Sequence, residues 1–200
     1  MKQLLVLLLL AQTALAQTKQ RPVLPADVQV RVALMAAPEE FRDSATVIGY
    51  TPDGKVTTLR EGTNDMVCLA PNPRQSGVYV YAYPRRLEPF MARGRELAAQ
   101  GKNIHQKDEV REAEINAGTL SFPKAPTILY GYWGKSEDLV KETGEIKNGQ
   151  RRYVVYVPYA TGASTGLPTT PGIPGMPWLM GAGTFKAHIM INPETMGHTH

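Results

Sequence analysis

Thr46-Val-Ile-Gly-Tyr-Thr-Pro-Asp-Gly-Lys-Val-Thr-Thr-Leu59 carries two β-rich runs around one turn. Thr46 to Tyr50 and Lys55 to Leu59 are built from the β-branched and aromatic residues that suit a pleated, half-buried surface. Between them, Pro52 presets φ and Gly54 tolerates a positive φ, so Thr51-Pro-Asp-Gly54 is turn chemistry with a mechanism. The stretch predicts a β-hairpin, and with it an antiparallel sheet.

Upstream, Asp27 to Ala37 reads two ways. Val28, Val30, Val32 and Leu34 alternate as a strand would. Asp27 as a cap, with Ala33, Met35, Ala36 and Ala37 as good helix formers, favours a helix stopped by Pro38, and that is the expectation. Pro38-Glu-Glu-Phe41 then opens a second short helix, proline first and acids in the opening turn.

Downstream, Met66 to Ala70 is a third strand, reached through Glu61-Gly-Thr-Asn-Asp65 and ended by Pro71. Val78 to Tyr83 is a further short extended run. Leu87, Phe90, Met91, Gly94, Leu97 and Ala98 then recur at helical spacing, with Pro89 as the first helical residue. Gly94 on that apolar face admits a close neighbour. Asp108 is positioned to cap a second helix to about Ala117, with Gly118 past its end. Thr127 to Trp133 and Arg152 to Pro158 return to strand composition, separated by a charged, exposed excursion from Gly134 to Arg151. Strands, a helical pair, then strands again give an α+β fold: one domain over residues 26–192, with an antiparallel sheet and an inserted helical pair.

The ends read differently. Met1-Lys2, the apolar run Leu4 to Ala11 and Ala14-Leu-Ala16 form an export signal, residues 1–16, with its scissile bond at Ala16–Gln17. The run falls well short of the ~20 residues a spanning helix needs, so no stable membrane anchor is expected after cleavage. Residues 17–25 follow as a flexible leader, and 193–200 as a loose tail. With 22 Lys and Arg against 18 Asp and Glu, interspersed, the charge excess is too small and too scattered for a nucleic-acid footprint. Cys68 is the only cysteine, so no intramolecular disulfide forms.

Candidate chemistry is sparse. The Pro/Gly-rich loop from Gly166, ending on the apolar strand Ala187 to Ile191, holds Trp178 and the one histidine in an apolar setting, His188. Such a rigid loop walls a pocket or closes a core. Cys68 and His188 are the only nucleophile–base pair on offer, since a thiolate needs an imidazole or positive field beside it. Against that, Cys68 sits between Val67 and Leu69, where a cysteine behaves as a small hydrophobe. Glu61 and Asn64 share a turn that either stabilises its own backbone or faces a ligand with Trp178. Met196, His198 and His200 are weak metal candidates on the tail, too few for a formed site. No phosphate loop, zinc-protease helix or serine elbow appears, and no cofactor is expected.

Three blocks resemble a family of exported bacterial proteins of uncharacterised activity: Leu59-Arg-Glu-Gly-Thr-Asn-Asp-Met-Val-Cys-Leu69, Leu87-Glu-Pro-Phe-Met-Ala-Arg-Gly-Arg-Glu-Leu-Ala-Ala-Gln-Gly101, and Pro177-Trp-Leu-Met-Gly-Ala-Gly-Thr-Phe-Lys-Ala-His-Ile-Met-Ile191. The family's first block usually reads Gly-Trp-Thr-Cys after the asparagine, whereas here Asp65, Met66 and Val67 precede Cys68. Its third block often has an aromatic where this chain has Gly181, which implies a more open loop. The resemblance implies export and a shared fold, and carries no activity.

Two functions follow as expectations. The first is a periplasmic or secreted non-enzymatic protein that binds a small molecule or an envelope component. The second is an envelope thiol enzyme or hydrolase using Cys68 and His188. Export is directly testable: N-terminal sequencing of material from the cell envelope should begin at Gln17, and a mature cytosolic chain still starting at Met1 would defeat the reading.

Overall fold

The computed structural model describes residues 21–193. The signal segment, the first part of the leader and the tail, with Met196, His198 and His200, lie outside the described residues. The elements in chain order are α1 (Ala26–Leu34), α2 (Glu39–Arg42), β1 (Thr46–Tyr50), β2 (Val56–Arg60), β3 (Met66–Leu69), β4 (Val78–Pro84), α3 (Glu88–Ala99), α4 (Ile104–Asn116), β5 (Thr127–Gly134), β6 (Gln150–Tyr156), α5 (Gly162–Thr165), β7 (Trp178–Met180) and β8 (His188–Ile191). The strands form one sheet in the order β2-β1-β3-β4-β5-β6-β8-β7. An α+β domain with its helical pair between strands is what the sequence leads one to expect.

The hairpin closes as its turn chemistry requires: Thr51 N–H bonds Lys55 O at 2.9 Å, and Gly54 sits at φ 79°. β3 departs from the all-antiparallel expectation. It does not extend the hairpin beyond β2 but crosses to the other side of β1, with which it pairs in parallel. The crossing loop is pressed against the start of β1, and Gly62 is the point of contact. A Cβ there would lie 2.2 Å from Thr46 N, so only glycine lets the chain pass. Thr63 and Asn64 both donate their backbone N–H to Ser44 O.

The sheet has two apolar faces, each with its own core. On the first lies α1. Its buried residues are Val28, Gln29, Val32 and Ala33, a helical stripe that the alternating valines disguise. They pack over Val47, Cys68, Val80 and Ala82. Gln29 is buried and satisfied: its Nε2 donates to Tyr50 O at 2.9 Å and its Oε1 accepts from Tyr50 N–H at 2.8 Å. Leu24, from the last part of the expected leader, also packs on this core, and Arg21 N–H bonds Pro73 O at 3.0 Å.

The segment 134–151 corrects the reading of an exposed excursion. Leu139 bridges Ile146, and Ile146 is buried to 2 % exposure beside α1. The phenol of Tyr132 holds it, donating to Ile146 O at 2.9 Å and accepting from Ile146 N–H at 3.0 Å. The many charges around one branched side chain hid this plug.

On the second face lie α3 and α4. Pro89 is the second residue of α3, which starts at Glu88, one residue before the expected start. Gly94 admits a close neighbour, since a Cβ there would lie 3.0 Å from Arg111 Nη1. Asp108, however, does not begin α4. Asn103 caps it in a reciprocal box with Gln106, four residues of helix earlier than Asp108. With little apolar periodicity, α4 offered no stripe from which to place its start. Asp108 instead pairs with Arg111 at 2.7 Å and with Lys186 of the β7–β8 loop. Phe90, Phe122, Phe185 and Tyr156 cluster beneath, the Phe90 and Phe122 ring centroids 4.6 Å apart.

Tyr132→Phe should leave the buried Ile146 N–H without a partner and its C=O with Gly149 N–H alone, at a cost of roughly 1–3 kcal/mol. The thermal unfolding midpoint should fall by about 3–10 °C for a domain of this size. An unchanged midpoint would mean that the 139–146 segment does not hold the first core.

Candidate functional site

β4 reads Val78-Tyr-Val-Tyr-Ala-Tyr83, and its period of two decides what each face of the sheet carries. Val78, Val80 and Ala82 enter the first core, while Tyr83 and Tyr81 belong to the second, with Tyr79 in line beyond them. The register continues the row: Tyr79 pairs with Trp133, which pairs with Gln150, and Tyr81 pairs with Gly131, which pairs with Arg152. Leu129, Val154, Met190 and Trp178 form the next row, then Thr127, Tyr156, His188 and Met180.

The helical pair covers only part of this face. Where α3 and α4 stop, a cavity of about 610 Å³ opens between the sheet and the residues Met91 and Ile104. Such a volume is of the size that small-molecule sites have. Three further hollows share lining residues with it: one, which holds Glu137 and Asp138, leads away past Tyr79 and Trp133, and two continue the cavity along the apolar face. Of these two, one, of about 350 Å³, shares Trp133 and Arg152 and is walled by Trp178 and the Pro171–Met176 segment. The other, of about 310 Å³, shares Tyr79, Tyr81, Met91 and Ile104 and reaches Lys107 and Arg111. Together with the cavity these two make one aromatic groove.

Its floor contains a gap. Gly131 lies mid-strand in β5, and a Cβ built there meets only ordinary contacts, Arg152 O at 3.6 Å and Tyr81 Cδ1 at 3.8 Å. Backbone packing does not demand the glycine; its missing side chain is space in the groove. Of the eight large apolar side chains exposed among the described residues, Tyr79, Ile104, Ile173 and Met176 line these hollows, with Ile173 at 71 % exposure, and Met180 lies at the sheet edge beside them; Phe41, Val56 and Tyr159 lie elsewhere. Apolar exposure gathered on one face, rather than scattered, marks a contact surface.

The polar groups are few and defined. Arg152 lies over the Trp133 ring, its guanidinium carbon 4.9 Å from the centroid, and its Nε donates to Asn192 Oδ1 at 2.7 Å. His188 Nδ1 is 2.7 Å from Lys186 O. A carbonyl only accepts, so Nδ1 carries the hydrogen and Nε2 of the neutral ring is an acceptor. Burial lowers the His188 pKa from its ordinary value, against the opposing pull of the Lys186 carbonyl, so the neutral form prevails at pH 7. Burial likewise pushes the Tyr156 phenol up to about 12.

The structure separates Cys68 from His188. Cys68 is fully buried in the first core, on β3, whereas His188 is half-buried on β8 and faces the second. The two strands are four spacings apart, roughly 19 Å at about 4.8 Å each, and the side chains lie on opposite faces. Burial pushes the Cys68 thiol up to about 12, although Arg60 and Arg42 pull it down. No nucleophile–base pair exists between them.

Glu61 and Asn64 are equally remote from Trp178, being at the opposite end of the sheet. Asn64 serves its turn: Nδ2 donates to Phe41 O at 2.7 Å and Oδ1 accepts from Met66 N–H at 2.9 Å. Glu61 is exposed beside it and lines none of the three hollows. Trp178 and His188 do line the groove, in adjoining hollows. The groove's other members, Tyr79, Tyr81, Gly131, Trp133 and Arg152, were not singled out from the sequence. The signals were present as the alternating tyrosines of β4 and a lone glycine inside an aromatic strand. Among the described residues no three of His, Cys, Asp and Glu gather as metal ligands, and no helix is long and apolar enough to cross a membrane.

Comparison with protein-family models, with curated proteins and with solved structures finds no match to this chain.

The burial of Cys68 has a direct readout. At mildly alkaline pH a thiol-exchange reagent should leave the folded protein unlabelled while labelling the urea-unfolded chain fully. Equal rates in the two states would place the sulfur in solvent and reopen a role for it.

Proposed function

We propose that this protein is an exported, non-enzymatic binding protein, and that its ligand is a small molecule held in the groove between the open half of the sheet and the ends of α3 and α4. Export rests on the Lys2, Leu4–Ala11 and Ala14–Ala16 pattern and on the resemblance of the three blocks to exported bacterial proteins. Binding rests on one observation above the others: an aromatic, mostly apolar cavity of about 610 Å³ with a few fixed polar groups at its wall. Among the described residues Cys68 has no base beside it and the groove holds no second activated nucleophile, which turns the reading from catalysis to binding.

The ligand would lie over Gly131, in contact with Tyr81 and Met190, with Trp133 and Arg152 along one side. Aromatic rings supply large contact area at little conformational cost. His188 Nε2 offers an acceptor, and the phenols of Tyr81 and Tyr156, protonated at pH 7 as any phenol is and shifted further up by burial, offer donors. The Pro171–Met176 segment bounds the far end, its prolines limiting how the backbone can move.

Gly131→Val fills the floor of this cavity. In a strand the exchange gains β-propensity, of the order of 1 kcal/mol, so Tm should hold or rise by about 2–4 °C. Native mass spectrometry of protein recovered from the cell envelope should show a retained small molecule in the wild type and none in Gly131→Val. A retained ligand that survives the valine would place the site elsewhere on the molecule.

A further inference from the structure

The groove has a sign. Among the residues lining its three hollows there is no aspartate or glutamate, while Arg151, Arg152, Lys107, Arg95 and Arg111 all line one of them. Most of these cations are committed elsewhere. Arg95 pairs with Glu88, and Arg111 with Asp108. Arg151 lies over the Tyr132 ring on the first face and donates to Met35 O at 3.0 Å. Arg152 is different. Its Nε is fixed by Asn192 and its plane by Trp133, yet its two Nη groups have no hydrogen-bond or ion-pair partner among the described residues. A guanidinium with its orientation set and its outer N–H groups open is organised for a planar or tetrahedral oxyanion. Carboxylates begin beyond Trp133, where Glu137 and Asp138 line an adjoining hollow that shares Tyr79 and Trp133 with the cavity. Asp108, the acid closest to Tyr156 in charge effect, has its oxygens taken by Arg111 and Lys186.

Taking the groove as the binding site, we propose that its ligand is an amphipathic anion: an apolar ring or chain laid over Gly131, in contact with Tyr81 and Met190, ending in one carboxylate-like oxyanion held by Arg152. The apolar body follows from Met91, Ile104, Leu129, Val154 and Met190 around the cavity. The head group is placed at Arg152 because, of the two cations left uncommitted among the described residues, Arg152 and Lys107, only Arg152 has its orientation set, by Asn192 and Trp133. His188 fits the same reading, since its neutral ring presents an acceptor and adds no second cation for a dianion.

Two dyes that share a ring system separate the two layers of this argument. Anilinonaphthalene sulfonate carries one oxyanion, which stands in for the carboxylate, and phenylnaphthylamine carries none. Both tryptophans of the chain, Trp133 and Trp178, line the groove, so energy transfer from tryptophan to dye reports occupancy of this place. Both dyes should bind the wild type, and Gly131→Val should weaken both. Arg152→Gln should weaken the sulfonate about tenfold or more, as loss of charge-assisted hydrogen bonds implies, and change phenylnaphthylamine by less than about twofold. Retained phenylnaphthylamine binding shows that the variant groove is folded. Arg152→Lys should recover part of the loss, and Lys107→Gln, which removes the other unpaired cation of the groove, should weaken the sulfonate less than Arg152→Gln; the reverse order would overturn the placing of the head group at Arg152. Naphthoate and decanoate then distinguish a ring from a chain body: displacement of the sulfonate by either, beyond that by its neutral alcohol, supports the proposal. Two dyes that bind equally and ignore Arg152 would overturn the anionic ligand and leave a groove for neutral molecules. Neither dye binding, or both binding regardless of Gly131→Val, would overturn the groove itself.

Discussion

Asp108 holds the second face together. Its carboxylate accepts from Arg111 one turn along α4 and from Lys186, which is 78 residues away in the β7–β8 loop. Arg111 is the only buried residue of α4, and its guanidinium lies 3.9 Å from the Phe90 ring centroid. A helix with no apolar stripe is therefore docked through charge: Asp108 to Lys186, Arg111 onto Phe90, and Arg93 of α3 to Glu114 through several N–H···O contacts. Such a pair is costly to break, because an unpartnered charge is left where water is scarce. It also sets where α4 ends its coverage, and so where the groove begins.

The asymmetry between the faces follows. The first is closed by apolar means, with the α1 stripe and the Ile146 plug leaving Val32, Val47, Cys68 and Val80 without solvent contact. The second is closed by the Phe90–Phe122–Phe185 cluster only over the end near Tyr83, Leu129 and Tyr156. The remaining rows, Tyr79–Trp133–Gln150 and Tyr81–Gly131–Arg152, lie beyond that cluster and turn polar only at β6. A sheet face built only for stability would alternate to polar side chains once it left the shelter of the helices. Here Tyr79, Tyr81 and Trp133 continue beyond the helices, and it is on them that the proposed binding role rests.

Much of the architecture was legible because it rests on local chemistry. Pro52-Asp-Gly54 fixes the hairpin, Pro89 the first turn of α3, and the aromatic runs of β5 and β6 their strands. The parts that escaped depend on contacts distant in sequence. The parallel placement of β3 is decided by Gly62 slipping past Thr46, and the 134–151 segment by a phenol on a different strand. α4 was dated from the wrong cap because Asp108 has the right chemistry for two jobs, and only Lys186 reveals which it does. For the site, Trp178 and His188 could be singled out by composition alone. The pairing with Cys68 failed since a single sequence does not say which face of a sheet a residue takes. Tyr79, Tyr81, Gly131 and Arg152 become a site only through register, which brings three strands into rows.

One small detail at the end of the sheet bears on how the molecule behaves in company. β7 is three residues long, and the N–H of Leu179, on the side away from β8, is occupied by Pro168 O at 2.8 Å. The proline loop therefore acts as a stopper on a row of backbone groups that would otherwise recruit another chain. At the far end, Arg60 of β2 turns inward to the carbonyls of Ala45 and Arg42, leaving a short threonine-rich border in solvent. Edge-to-edge pairing is thereby confined to one margin of the eight-stranded sheet, the five-residue β2.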